Sequence, residues 1–175
     1  WEWGPAQRAW KRFMFASHSQ DLATRDSVRC RYLIKSDWYR ELWNSFSLTG
    51  DQDAKMYYEN TQRGFRYCTS VTSHITGHRA DFTVIDDPHD TKKVESGVER
   101  KAVLEWHGIT WRNRVNDERT SCRVIIGQRT HQDDLIANLL KHGGWEYLML
   151  PEELEPDRKC ITHTNTKEFF FQDWR

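Results

Sequence analysis

Two adjacent acids at the end of a predicted strand are the residues of this sequence best placed to do chemistry. Asp86 and Asp87 directly follow the apolar run Phe82-Thr-Val-Ile and precede Pro88, which stops regular structure. A carboxylate at the carboxyl end of a parallel strand lies at the edge of the sheet where ligands bind. One acid can then hold a Mg²⁺-bound water while the other orients or deprotonates an attacking water. The alternative is that the pair only ends the strand and caps a turn.

Two loops carry further polar candidates. The stretch 127–130 follows another predicted strand, and there Gln128 can sense a γ-phosphate while Arg129 can contact phosphate or DNA. Arg79 lies in the Gly-containing loop 76–81, where an arginine can act as a finger toward the nucleotide of a neighbouring subunit. On the local sequence alone, a solvated loop explains both stretches.

Two clusters combine histidine with acids: His89 with Asp86, Asp87 and Asp90, and His131 with Asp133 and Asp134. These residue types are metal ligands, and the first cluster suggests a metal-dependent nuclease. A two-metal nuclease would need a third carboxylate from elsewhere in the chain. In the second cluster, acids in the first turn of a helix are explained by the helix dipole.

Composition restricts the class of protein. The chain has 175 residues, enough for one domain, and 26 basic residues balance 26 acidic ones, which excludes a histone-like protein. Aromatic residues make up 13%, including nine Trp, and this argues against disorder. The four cysteines are widely spaced without a C-x-x-C pair, which argues against a zinc site or a disulfide framework. The compartment that this cysteine usage predicts is a reducing cytoplasm.

Short apolar runs alternate with amphipathic segments, a pattern typical of an α/β protein with a mostly parallel sheet flanked by helices. The predicted strands are 12–17, 56–59, 64–70, 82–86, 122–127 and 145–150, and the predicted helices are 19–35, 37–46, 94–114 and 133–142. In the second helix, Trp38, Leu42 and Trp43 are predicted to face inward. After Pro151 the pattern weakens into a linker-like stretch.

Seven stretches carry a family resemblance when they are taken in order: 15–25, 39–43, 64–71 with Ile75-Thr-Gly-His-Arg-Ala-Asp81, 82–88, Glu95-Ser96 with Trp106, Ile125-Ile-Gly-Gln-Arg129 with 131–135, and 145–151. Together they resemble the large subunit of tailed-bacteriophage terminases, the motor that packages DNA, over about residues 1–155. The resemblance implies an incomplete P-loop NTPase core of the RecA/ASCE type. The Walker A loop G-x-x-x-x-G-K-[ST] does not occur in the sequence.

The resemblance also implies roles for individual residues. Asp86 corresponds to the magnesium-coordinating Walker B aspartate and Asp87 to the catalytic carboxylate. Gln128 and Arg129 lie in the region of the motif that couples hydrolysis to DNA movement, and Arg79 lies where an arginine finger acting in trans is expected. The implied cofactors are ATP and Mg²⁺.

On the same resemblance, residues 1–151 are the C-terminal part of a terminase ATPase domain and 152–175 a linker toward a nuclease domain outside this sequence. The expected partners are double-stranded DNA, the small terminase subunit, the portal protein and further copies in a homo-oligomeric ring, with no membrane, in the host cytoplasm. These residues alone are expected not to hydrolyse ATP. Two alternatives stay open: a metal-dependent nuclease centred on Asp86 and Asp87, and a non-catalytic DNA-binding remnant.

Overall fold

The computed structural model describes residues 8–149, 153, 159–163 and 168–172. The strands there are β1 (Phe13–Ser17), β2 (Leu48–Asp53), β3 (Tyr57–Asn60), β4 (Phe65–Ser70), β5 (Phe82–Asp86), β6 (Cys122–Ile126), β7 (Lys159–His163) and β8 (Glu168–Gln172). The α-helices are α1 (Gln20–Lys35), α2 (Asp37–Leu42), α3 (Gly97–Trp106) and α4 (Leu135–His142). None of the described helices is long and apolar enough to cross a bilayer.

The first six strands form one mixed sheet in the order β2-β3-β4-β1-β5-β6. β1 pairs in parallel with β4 and β5, and β5 pairs in parallel with β6, while β3 is antiparallel to both β2 and β4. The register places Ser17 beside Ser70 and Asp86, and Asp86 beside Ile126. The four parallel strands therefore end level with one another, and the predicted α/β class with a mostly parallel sheet is confirmed.

The chain divides into two compact units. The first, residues 1–135, contains the mixed sheet. The second, residues 136–175, contains most of α4 and the antiparallel pair β7 and β8. That pair lies within the stretch 152–175, for which the sequence predicted a linker.

Alternate residues on the central strands differ in burial. On β1 and β5, every second side chain is at most 1% exposed: Met14, Ala16, Thr83 and Ile85. The intervening side chains are only half-buried: Phe13, Phe15, Phe82 and Val84. A strand turns successive side chains to opposite faces, so one face of the sheet is closed and the other is partly open. On the open face α1 packs against β1 and β4, and the rings of Phe13 and Phe82 stack at 4.8 Å.

A buried asparagine organises the β3–β4 hairpin. The Asn60 side-chain amide donates to the carbonyl oxygen of Ala9 at 2.6 Å, and its oxygen accepts from the backbone nitrogens of Gln62 and Gly64. A Cβ at Gly64 would lie 1.8 Å from the Ala9 oxygen. Only glycine allows this close approach of the two backbone segments.

The prediction that α2 buries its aromatic residues was wrong. The helix ends at Leu42, and Trp38, Leu42 and Trp43 are 58%, 59% and 37% exposed. The two tryptophan rings contact each other edge to face at 5.5 Å instead of entering the core. Apolar spacing over two turns gives a helix one apolar side, but it does not supply a surface to cover that side.

The predicted single helix over 94–114 is divided. Ser96 caps the N-terminus of α3 by accepting from the Glu99 nitrogen, and the helix changes to a π-helical turn at His107–Trp111 and a 3₁₀ turn at Arg112–Arg114. A π turn brings residues five apart onto one side. Trp106 and Trp111 consequently stack at 5.2 Å, and the indole of Trp106 donates to the Ser73 carbonyl.

Two other sequence predictions differ from the structure. The polar segment β2 was not predicted, because its sequence Leu-Thr-Gly-Asp-Gln-Asp lacks apolar alternation. The strand predicted over 145–150 does not form at 145–149, where no described strand pairs with the segment, and Leu150 lies outside the described residues. An apolar run becomes a strand only where a neighbour supplies ladder hydrogen bonds.

Candidate functional site

The acidic pair lies at the carboxyl end of the central parallel strands. Asp86 is the last residue of β5, which runs between β1 and β6, and Asp87 follows it. Both residues are exposed. Neighbouring atoms still remove some water from the Asp86 carboxylate, and this desolvation, together with the carboxylates of Asp87 and Asp26, raises the pKa of Asp86, while Arg25 opposes the shift. A cation at this position would relieve the repulsion among the three carboxylates.

The carboxylates of this pair are not used to cap the turn. No carboxylate oxygen of Asp86 or Asp87 accepts a hydrogen bond within the described part of the chain, whereas Asp90 and Asp117 do cap turns. Asp90 accepts from the Lys92 nitrogen at 2.9 Å, and Asp117 accepts from the Arg119 nitrogen at 2.9 Å. A turn-capping aspartate is recognised by such a bond two residues on.

The backbone at Asp87 is unusual for a residue other than glycine. Its φ of 49° lies in the left-handed region. Its nitrogen nevertheless donates to the Ile126 carbonyl at 2.9 Å, and its carbonyl accepts from the His18 nitrogen at 3.0 Å. The hydrogen-bond ladders to β6 and β1 thus continue through the turn.

Gly127 leaves room for the acidic turn. A Cβ at Gly127 would lie 3.1 Å from Pro88 Cδ and 3.7 Å from Asp87 Oδ1. The first distance is tighter than ordinary van der Waals contact. The missing side chain at position 127 lets the end of β6 approach the carboxylate of Asp87.

A pocket next to this turn contains two of the predicted site residues. Asp87 and Gln128 both line it, together with His18, His89, Thr91 and Thr130. The hydroxyl of Thr130 is buried and has no hydrogen-bond partner in the described part of the chain. The pocket therefore contains a carboxylate, an amide and a hydroxyl that are able to bind water or an oxygen-rich ligand.

Arg129 has a structural partner. Its Nε donates to Asp134 Oδ2 at 2.9 Å, and the backbone nitrogens of Thr130 and His131 donate to the same oxygen at 3.3 and 3.4 Å. Asp134 is 1% exposed, while the Arg129 side chain is 38% exposed. The ion pair ties the end of β6 to the start of α4, so a phosphate contact by Arg129 would compete with a buried carboxylate.

Arg79 lies at the other end of β5. It precedes the strand, and its loop is fixed by the Ala80 nitrogen, which donates to the Arg114 carbonyl at 2.8 Å, and by His78 stacked on Tyr67 at 4.6 Å. The five residues of β5 span roughly 16 Å at about 3.3 Å each. Arg79 and Asp86 are consequently not brought together within one chain.

Two residues of the alternative nuclease centre, His89 and Asp90, have structural roles. His89 Nε2 accepts from the Leu135 nitrogen at 2.9 Å, which requires that Nε2 carries no proton, and burial lowers the pKa of His89. Asp90 caps its own turn. Among the side chains of residues 8–149 and 153, no group of three or more His, Cys, Asp or Glu is arranged to hold a metal ion.

His18 is a site residue that the sequence analysis did not single out. It follows β1, and its ring Nδ1 lies 3.1 Å from the Asp87 carbonyl oxygen. The available signal was its position directly after a predicted strand, the same criterion that identified Asp86.

Comparison with known proteins yields a weak structural likeness. The sequence matches no protein-family model and no curated protein. Among solved structures, the chain is similar to one titled "Crystal structure of the HK97 bacteriophage large terminase", with 13% identity and a TM-score of 0.45. The similarity covers 73% of this chain and 24% of that one, so the chain spans about a quarter of that protein's length. A likeness at this level assigns neither a family nor an activity to the chain.

Proposed function

We propose that this chain is part of the ATP-hydrolysing motor of a tailed-bacteriophage terminase large subunit, which couples ATP hydrolysis to the movement of double-stranded DNA into a procapsid. The observation that carries the proposal is the placement of Asp86 and Asp87 at the carboxyl end of a central parallel strand, with carboxylates that cap no turn. Ligands of open α/β sheets bind at this edge. The ordered sequence motifs described above support the same assignment.

The donor set at Asp86 fits a magnesium ion. Mg²⁺ is held by one or two carboxylates together with water and substrate phosphates, and an exposed carboxylate with a raised pKa supplies such a ligand. When bound, Mg²⁺ would neutralise developing charge on the transferred phosphoryl group. Asp86 would hold the ion, and Asp87 would orient the attacking water and accept its proton.

The remaining site residues receive narrower roles. Gln128 lines the pocket beside Asp87, where its amide would bind the γ-phosphate. Loss of the γ-phosphate would then change the position of the segment that connects β6 to α4. Arg129 would act mainly through its ion pair with Asp134.

The open edge of the sheet is the proposed place for the missing phosphate-binding loop. β6 is the last strand in the order of the described sheet, and Ile126 is 54% exposed. An edge strand offers free backbone groups for a further parallel strand. We propose that the strand leading to the Walker A loop pairs there, that residues 1–151 form the C-terminal part of the ATPase domain, and that 152–175 lead toward a nuclease domain.

The test uses the polypeptide encoded by the whole reading frame that contains these residues. Magnesium-dependent ATP hydrolysis is expected, with kcat reduced by about 10²-fold or more in Asp86→Ala and Asp87→Asn. Asp51→Asn, a change at an exposed acid remote from the site, is the matched control. Normal hydrolysis by Asp86→Ala would refute the proposal, as would the absence of a G-x-x-x-x-G-K-[ST] loop within about 40 residues upstream.

The ring of copies has its own test, because Arg79 is too far from Asp86 to act within one chain. Arg79→Ala and Asp86→Ala are each expected to be inactive. In a 1:1 mixture, an active site is complete when an Arg79→Ala copy, which keeps Asp86, lies next to an Asp86→Ala copy that supplies Arg79. In a head-to-tail ring this holds for about one quarter of the sites, so about one quarter of wild-type activity should return. No recovery on mixing would exclude Arg79 as the finger. DNA, the small subunit and the portal protein are the other proposed partners, with the host cytoplasm as the location.

A further inference from the structure

One residue holds the Asp87 carbonyl with two donors. The backbone nitrogen of His18 donates to this oxygen at 3.0 Å, and ring Nδ1 of the same residue lies 3.1 Å from it. A carbonyl oxygen only accepts hydrogen bonds, so Nδ1 must carry the proton. The first bond continues the β1–β5 ladder and would form with any residue at position 18, whereas the second depends on the histidine ring.

The second bond acts where the backbone is strained. Asp87 has a φ of 49°, a left-handed conformation that is sterically unfavourable for a residue other than glycine. Such a conformation persists when its surroundings fix it. At Asp87 they do so from both sides, since the nitrogen is bound to Ile126 and the carbonyl to His18.

The conformation of Asp87 decides where its carboxylate lies. The left-handed φ turns the side chain out of the alternation of β5, and Oδ1 is placed 3.7 Å from the position of a Cβ on Gly127. His18 and Asp87 then line the same pocket as Gln128. Relaxation of Asp87 to extended backbone would carry the carboxylate away from this position.

We propose that His18 is a positioning residue for Asp87: its Nδ1–H, through the Asp87 carbonyl, holds the left-handed turn that directs the Asp87 carboxylate to the pocket. This role rests on the proposed function, because it supposes that Asp87 orients the attacking water. Displacement of a nucleophile or water by about 1 Å can lower the rate by about 10²-fold. His18 can therefore affect kcat through the position of Asp87, although its N–H contacts no reacting atom.

The test compares two replacements of His18. Asn places a side-chain N–H close to the position of Nδ1, while Phe keeps a ring and removes the donor. In the product of the whole reading frame, His18→Phe is expected to lower kcat about tenfold with the KM for ATP unchanged within about twofold. His18→Asn should stay within about twofold of wild type, and His74→Phe, at an exposed histidine, is the control.

Nuclear magnetic resonance of the 175-residue chain gives a readout independent of activity. The ¹⁵N shifts of His18 should show a protonated Nδ1, and the Cα, Cβ and carbonyl shifts of Asp87 should move toward extended values in His18→Phe but not in His18→Asn. An Nε2–H tautomer, or equal loss of kcat in both variants, would overturn the positioning role. If the whole-frame protein hydrolyses no ATP, the proposed function fails, while the shifts of Asp87 still decide whether His18 holds the turn.

Discussion

Removing the Asp134 carboxylate should be among the most destabilising single changes at the site. The carboxylate is 1% exposed, and one of its oxygens accepts from Arg129 Nε and from the backbone nitrogens of Thr130 and His131. Breaking a buried ion pair by removing one partner costs about 3–5 kcal/mol. Asp134→Ala should therefore lose about 3 kcal/mol or more, while Asp134→Asn, which keeps an acceptor oxygen but not the charge, should lose about half of that.

Urea unfolding followed by circular dichroism measures this loss. With a slope of about 2 kcal/mol per molar urea, a loss of about 3 kcal/mol moves the midpoint by about 1.5 M. Asp51→Asn, an exposed acid, is the control and should shift the free energy of unfolding by less than about 0.5 kcal/mol. If Asp134→Ala unfolds within about 1 kcal/mol of wild type, the Arg129 network does not stabilise the connection between β6 and α4.

Three other measurements probe the fold and the site. Gly64→Ala should lower the free energy of unfolding by about 3 kcal/mol or more, because its Cβ would meet the Ala9 oxygen at 1.8 Å, whereas Gly50→Ala has open space and should be nearly neutral in the same urea titration. Burial lowers the pKa of His107 to about 4, below the 6.5 of the unfolded chain, so the unfolded state binds more protons in this range. As the pH drops from about 6.5 to 4, protonation of His107 in the unfolded chain should lower the free energy of unfolding by about 3 kcal/mol. His107→Gln should remove this part of the pH dependence. Asp86→Asn should raise the free energy of unfolding at pH 7, because the raised pKa of Asp86 marks an ionised form that the fold disfavours, and solvent screening at this exposed residue keeps the gain small. This gain should shrink as acid protonates Asp86 in the wild type, and an equal gain at pH 3 and pH 7 would contradict the reasoning.

The sheet was predictable where the sequence alone dictates burial. β1, β5 and β6 are short apolar runs typical of strands in a parallel sheet, and each was predicted within about a residue of its observed bounds. β2 was not predicted because an edge strand needs few apolar residues. The exposure of Trp38 and Trp43 was not predicted because periodicity shows which residues share one side of a helix, not whether another element covers that side.

Within the site, position along the chain predicted Asp86, Asp87 and Gln128 at one edge, and the structure places Asp87 and Gln128 around one pocket. The contact of His18 with Asp87 could not be predicted, because it joins residues 69 apart and depends on the register of β1 against β5. The pairing of Arg129 with Asp134 is local in sequence, but only the structure shows that the buried carboxylate accepts a hydrogen bond from the arginine.

The turn after β5 lowers the stability of the fold more than a turn at this position needs to. A glycine or asparagine at position 87 would take the left-handed φ with less strain, and a neutral residue at 86 would remove the repulsion that raises the pKa of Asp86. Asp90 shows how the same chain caps a turn when that is the only task, by accepting from a backbone nitrogen two residues on. Because the acidic pair is unfavourable for folding and is not used as a cap, its charge supports the proposal that a cation binds at this edge.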